Sequence, residues 1–387
     1  MAYTLEEAKT LIIRAGKELL AKGLVARTWG NISARISETH FAITPSGRSY
    51  ETMTPDQIVV VAIDDLTYEG DIKPSSEKGI HADCYRLRED VQFIIHTHQK
   101  AATVMSISGD HFTLEDSKEI ALLGTMIPCA PYGISSTKTL RKHVAQTVAD
   151  FPQSKVCLMQ SHGALCMGTS YDEAFALADA LENAMQQRIY RSIGVSNDKE
   201  LLEKYFQNRR LILATSALPD LGISIRINDR FLIKQNGKQS EYSIKEKLPS
   251  EAWIAKAHQT IYKTQKARCI VYENDPFVVA FSATKKTLRP SIDDLAQIGG
   301  ATIKTATSSK VTSKLNGRNA VFILGLGAFC TGRTMDDALA VAMILRKGCE
   351  AEIVSSLLNK PHRLSFFDAW IQRTVYLSKY SKMNAKE

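Results

Sequence analysis

A chain of 387 residues is too long for one ordinary domain and suits two. With 44% hydrophobic and 23% charged residues it can build packed cores, which excludes a disordered protein. The formal charge of +8 is dispersed among acids, and no basic stripe carries interleaved aromatics, so no nucleic-acid partner is expected.

The opening MAYTLEEAKT lacks the basic start and apolar core of a signal peptide. No apolar run reaches the roughly 18 residues that suggest a membrane span, so no membrane partner is expected either. The seven cysteines (Cys84, Cys129, Cys157, Cys166, Cys269, Cys330, Cys349) are odd in number and lack C-x-x-C spacing. They read as reduced core thiols of a cytoplasmic protein.

Thr4 is placed to cap a first helix, with Glu7 at capping-box spacing. Leu5, Ala8, Leu11, Ile12, Ala15 and Leu19 share one face of it, and Gly23 ends it. The Gly30-Asn31 turn then feeds a strand, and FAIT leads to the turn Pro45-Ser46-Gly47. A strand is expected over Gln57 to Ile63, followed by a turn. Ser75-Ser76-Glu77 opens a helix to about Arg88, and FIIHTH is a buried strand. Lys138 to Ala149 reads as helix, Lys155 to Met159 as strand, Gln160 to Gly163 as a tight turn, and Tyr171 to Tyr190 as a long helix.

The second half repeats the first. GALCMGTSYDEAFALA from Gly163 matches GAFCTGRTMDDALAVA from Gly327. ISARISETHFAI from Ile32 matches ISIRINDRFLI from Ile223. On this alignment Ser46-Gly47 falls on Asn236-Gly237, and Ser76-Glu77 on Ser250-Glu251. Two copies of one domain are expected, residues 1–192 and 197–387, with a tail from about 361 that packs as a helix and then frays.

Three constellations carry chemistry. His96 and His98 lie two apart at a strand end, so both side chains face one side and can share an ion. A lone His-x-His is also an ordinary polar strand end, but His162, held in a turn before Gly163, offers a third imidazole. Three histidines around an open position form the catalytic zinc pattern. Gly30-Asn31, Ser46-Gly47 and Ser75-Ser76 are turn pairs whose N–H and O–H donors suit a phosphate. Glu77 can be a favourable charge in a helix's first turn, or a general acid/base beside the ion. His81 shares its helix face and can line the same site.

Taken together, GNISAR, ITPSG, KPSSE, the His of GIHADCYR, IIHTH and QSHG resemble the class II aldolase/adducin family. IPCAPY and the Gln160-x-His162-Gly163 turn are similar to its fuculose-phosphate type of aldolase. The resemblance implies an α/β fold, with three α/β/α layers around a mostly antiparallel sheet, here duplicated in tandem. It implies zinc (or another divalent transition metal) on His96, His98 and His162, with Glu77 visiting the metal and serving as proton donor and acceptor. A phosphate pocket of Gly30, Asn31, Ser46, Gly47, Ser75 and Ser76 is implied as well. The related 4-epimerases carry Asp after the paired serines, and Glu77 favours cleavage. Two aromatic residues that the family aldolases use on the aldehyde side are missing, and Ser135 and Ser136 stand near one of those places.

The expected activity is cleavage of a ketose 1-phosphate to dihydroxyacetone phosphate and an aldehyde. Epimerisation or dehydration of a sugar phosphate at the same site is the alternative, and a non-catalytic adducin-like scaffold the alternative of another class. In the second copy Tyr272, Asn274 and Leu326 fall where His96, His98 and His162 stand, so that copy is expected to be inert. The family's four-domain rings imply a homodimer with pseudo-fourfold arrangement.

Overall fold

The structure is a computed structural model of the chain. It describes residues 2–25, 29–209, 222–235, 237–249, 251–307 and 310–380, the side chains of 379 and 380 excepted. Two compact units divide it, Met1–Ser192 and Ile193–Glu387. Each contains a seven-stranded sheet, so the chain is a tandem α/β protein. No helix among the described residues is long and apolar enough to cross a membrane.

In the first unit Thr4 caps the helix Leu5–Ala21. Its N–H donates to the Glu7 carboxylate at 2.8 Å, and the Glu7 N–H returns to Thr4 Oγ1 at 3.3 Å. Ala8, Ile12, Ala15 and Leu19 form the buried face. The sheet runs in the order Val59–Ala62, His40–Ile43, Asn31–Arg35, Phe93–Thr97, Gly163–Gly168, Val156–Met159, Cys129–Ala130. Its last pairing is parallel and the others are antiparallel.

Helices cover both faces of this sheet. Lys78–Leu87 and Lys138–Asp150 pack on the face bearing Ile94, through Ile80, Cys84, Tyr85, Leu140 and Val144. Phe93 alternates with Ile94 and so turns the other way, onto the rings of Tyr3 and Tyr171. Tyr171 begins the long helix, which reaches Ile193. Helices Lys100–Ser106 and Ser117–Leu123 and the two-stranded pairing of Phe112–Thr113 with Met126–Ile127 have no counterpart in the sequence reading.

The second unit repeats the sheet strand for strand: Lys238–Ser243, Arg230–Gln235, Gly222–Ile227, Cys269–Glu273, Gly327–Gly332, Ala320–Ile323, Thr305–Ala306. Gly222 stands opposite Tyr272 as Asn31 stands opposite His96. The helix before the central strand corrects one part of the repeat alignment. Ser224 binds His258 Nδ1 and the Tyr262 hydroxyl, each at 2.7 Å, as Ser33 binds His81 at 2.6 Å and Tyr85 at 2.8 Å. Matching His258 to His81 puts Ile254, and not Glu251, in the place of Glu77. Asn236 and Ser250 lie outside the described residues.

Beyond the repeat, Phe366–Val375 is helical and continues as a π-helical turn to Tyr380. Arg373 anchors it, donating to the carbonyls of Gln297 and Ile298 at 2.8 Å each. The expected frayed end falls on 381–387, outside the described residues.

Candidate active site

The central strand Phe93–Thr97 carries His96 on the face that bears Ile94, towards the helix led by Glu77. His98 follows just past the strand end. Its place is fixed by what comes next: Gln99 accepts from the Thr97 hydroxyl at 2.8 Å and donates to the Ala178 carbonyl at 3.2 Å. Glu182 then accepts the N–H groups of Ala101 and Ala102 at 2.8 and 3.1 Å, holding the start of the helix Lys100–Ser106. Sequence reasoning missed Gln99 and Glu182, because their partners lie about 80 positions away.

His162 comes from the neighbouring strand connection. Ser161 takes a φ of +62°, and the His162 N–H closes the turn on the Met159 carbonyl at 3.0 Å. Gln160 braces this turn, accepting the Tyr132 N–H at 3.0 Å and donating to the Ile107 carbonyl at 3.3 Å. Gly163 is needed next: a Cβ there would stand 2.3 Å from the Thr97 carbonyl oxygen. Gly30, at φ +80°, lies against the same strand from its other side, where a Cβ would stand 2.4 Å from the His96 carbonyl oxygen.

His96, His98 and His162 therefore converge, each buried, with ligand atoms within 4.8 Å of one another. Among the described residues this is the one such cluster. His96 Nδ1 donates to the Ala164 carbonyl at 2.9 Å, which leaves Nε2 as its lone-pair atom, 3.0 Å from His98 Nε2. Burial, then the neighbouring His98 and His162, hold the His96 pKa well below 6.5, so the ring is neutral as a metal ligand must be. Donor type, spacing and protonation all fit a divalent transition metal on three imidazoles.

Glu77 closes the site at the head of its helix. Its carboxylate oxygens lie 3.2 Å from His162 Nε2 and 3.4 Å from His96 Nε2. Ser135 donates to Oε1 at 3.2 Å and Asn31 to Oε2 at 3.0 Å. Burial pushes the carboxyl pKa up, but the neighbouring His162 above all, with His96 and His98 after it, outweighs burial and holds the group below 4.5. Glu77 is thus a buried carboxylate, its pKa lowered, beside a cluster that could hold a metal ion.

The three small turns meet at this same end of the sheet. Pro45 bridges Pro74, the Ser46 N–H donates to the Lys73 carbonyl at 2.9 Å, and the Ser75 N–H to Thr44 at 3.0 Å. Gly47 adopts φ +71°. Ser76 Oγ pairs with Ser136 Oγ at 2.7 Å. Besides the Ser46 N–H, two side chains of the predicted anion set are engaged elsewhere. Ser75 Oγ accepts the Glu77 N–H at 3.2 Å, and the Asn31 side chain is spent on Glu77 and His81.

Comparison with known proteins agrees with this geometry. The chain is 31% identical over 205 residues to a 5-deoxy-D-ribulose 1-phosphate aldolase of Bacillus thuringiensis, covering 53% of this chain and 94% of that protein. It is 38% identical over 172 residues to a 5-methylthioribulose-1-phosphate/5-deoxyribulose-1-phosphate aldolase of Escherichia coli, covering 44% and 78%. To the L-fuculose phosphate aldolase of Escherichia coli it is 32% identical over 202 residues, covering 50% and 92%. The family model described as the class II aldolase and adducin N-terminal domain matches residues 10–189 and again 224–353. The chain belongs to the class II aldolase and adducin N-terminal domain family.

Proposed function

We propose that the first unit, 1–192, cleaves a ketose 1-phosphate to dihydroxyacetone phosphate and an aldehyde. The chain is an aldehyde-lyase of the class II aldolase type, and aldolase is the activity in the names of its relatives. What carries the reading is one juxtaposition: an ionised carboxylate within 3.4 Å of two of three clustered imidazoles.

His96, His98 and His162 would hold the ion, for which zinc is the expected metal. When bound, it supplies Lewis-acid polarisation of the substrate oxygens and offsets the negative charge of bond cleavage. Glu77 accepts a proton and returns it to carbon on the nascent dihydroxyacetone phosphate. The backbone of Gly30 and Gly47 and the hydroxyls of Ser46 and Ser76 hold the phosphate, whose binding energy orients the reacting carbons. Seven buried free thiols support a cytoplasmic setting.

The second unit is read as inert. Tyr272, Asn274, Leu326 and Ile254 replace the imidazoles and the carboxylate, and Trp253, Tyr272 and Phe329 stack over the place with centroids 5.4 to 6.4 Å apart.

A panel of ketose 1-phosphates tests the proposal, including the 5-deoxyribulose, 5-methylthioribulose and fuculose forms, with enzyme-coupled detection of dihydroxyacetone phosphate. Release from at least one sugar is expected. A 4-epimer or a dehydrated sugar, with no dihydroxyacetone phosphate, would replace this reading.

A further inference from the structure

Behind Glu77 a single line of buried polar side chains runs into the core: Asn31, His81, Ser33, Tyr85. Asn31 Nδ2 donates to Glu77 Oε2 at 3.0 Å, and Asn31 Oδ1 is bonded to His81 Nε2. His81 Nδ1 lies 2.6 Å from Ser33 Oγ, which lies 2.8 Å from the Tyr85 hydroxyl.

The orientation of the Asn31 amide sets every proton in this line. Its NH₂ faces Glu77 and its oxygen faces His81. That oxygen carries no proton, so His81 Nε2 does. Nδ1 is then a lone pair, Ser33 donates to it, and Tyr85 donates to Ser33. His81 is fully buried, and burial lowers its pKa to about 4, which agrees with a neutral ring of fixed tautomer.

We propose that His81 is a positioning residue for the reaction: through its Nε2–H it locks the Asn31 amide, and the amide locks Glu77 in the orientation that takes the proton. This rests on the acid/base role of Glu77 proposed above.

The second unit supplies an internal control. It keeps Ser224, His258 and Tyr262 in the same contacts. There the line stops at His258 Nε2, which is buried with no hydrogen-bond partner among the described residues. Gly222 stands where Asn31 would, and Ile254 where Glu77 would. The Ser-His-Tyr contacts alone therefore serve the fold. The extension through Asn and Glu occurs in the unit that has the imidazole cluster.

The test compares His81→Phe with His258→Phe in the full chain, with His81→Gln as the conservative variant that keeps a donor towards Asn31. We expect His81→Phe to lower kcat about tenfold to a hundredfold with little change in KM, as loss of such supporting hydrogen bonds does. His81→Gln should regain most of it, and His258→Phe should leave kcat within about twofold. Equal losses in His81→Phe and His258→Phe, or no gain from Gln over Phe, would overturn the proposal.

A second readout does not depend on turnover. In histidine-labelled protein, long-range proton–nitrogen NMR should show His81, assigned by its absence in His81→Phe, as the Nε2–H tautomer. In Glu77→Leu the two ring nitrogens should move towards the averaged shifts of mixed tautomers. An Nδ1–H tautomer, or spectra unchanged in Glu77→Leu, would refute the relay even if no sugar phosphate is cleaved. The expected spectra without any cleavage would instead sink the reaction and leave the relay standing.

Discussion

Asn31 stands directly opposite His96 in the register of adjacent antiparallel strands. One pair of neighbouring strand positions thus delivers an imidazole of the cluster that could hold a metal and the amide that holds the carboxylate beside it. The centre depends on this register, because a one-residue slip of either strand would turn its side chain to the opposite face from the other.

Metal content follows from the imidazole cluster. Purified protein should carry about one divalent ion per chain, in the tetrahedral style of three-histidine sites. His96→Ala should lose the ion together with activity. Elemental analysis checks this, and full retention of metal in the variant would remove His96 from the ligand set.

Glu77→Gln keeps the shape of the side chain but cannot accept a proton. Turnover should fall about a hundredfold or more, the usual scale for a general base. Solvent exchange of the C3 proton of dihydroxyacetone phosphate, followed by NMR, should stop as well. Undiminished exchange would assign the proton transfer to another group.

Acid should destabilise the protein through its buried histidines. Burial takes the His258 pKa from 6.5 down to about 3, and that of His81 to about 4. Between those values and 6.5 the unfolded chain binds a proton that the folded chain refuses. The stability is therefore fully present above about pH 6.5 and is lost as pH falls through that window, by up to about 1.4 kcal/mol per pH unit for each ring. Thermal melts from about pH 7 to about pH 5 should show His258→Phe with a shallower decline than the parent. Parallel declines would exclude His258 as a contributor.

A homodimer with pseudo-fourfold arrangement of intact and depleted units is the expected assembly. Multi-angle light scattering of the full chain should give twice the chain mass. A stable monomer would leave the second unit without this role.

The His-x-His pair was legible because strand periodicity is local, and the capping box at Thr4 and Glu7 because it spans a single turn. Helix Lys100–Ser106 was not, since a run buried from Ala101 to Ser106 shows no amphipathic period. The turns of the anion set were legible as turns. That Asn31 faces Glu77 was not, because 46 residues separate them and only packing brings them together. The repeat misled at one point: the shared Ser-Glu dipeptide suggested Glu251, while the His-x-x-x-Tyr spacing of His81 and Tyr85, repeated at His258 and Tyr262, marks the true register.

Gly222 and Ile254 stand together where Asn31 and Glu77 stand in the first unit, so restoring either one alone is expected to be costly. Gly222→Asn alone would press a side chain on Ile254, whose Cγ2 already stands 3.1 Å from where a Cβ would go. Ile254→Glu alone would bury a carboxylate with no amide to meet it, at a cost of several kcal/mol. Each single reversion is therefore expected to destabilise the second unit. The imidazoles replaced by Tyr272, Asn274 and Leu326 would have to return as well. A working centre in the second unit would therefore need several coordinated substitutions at once, not one.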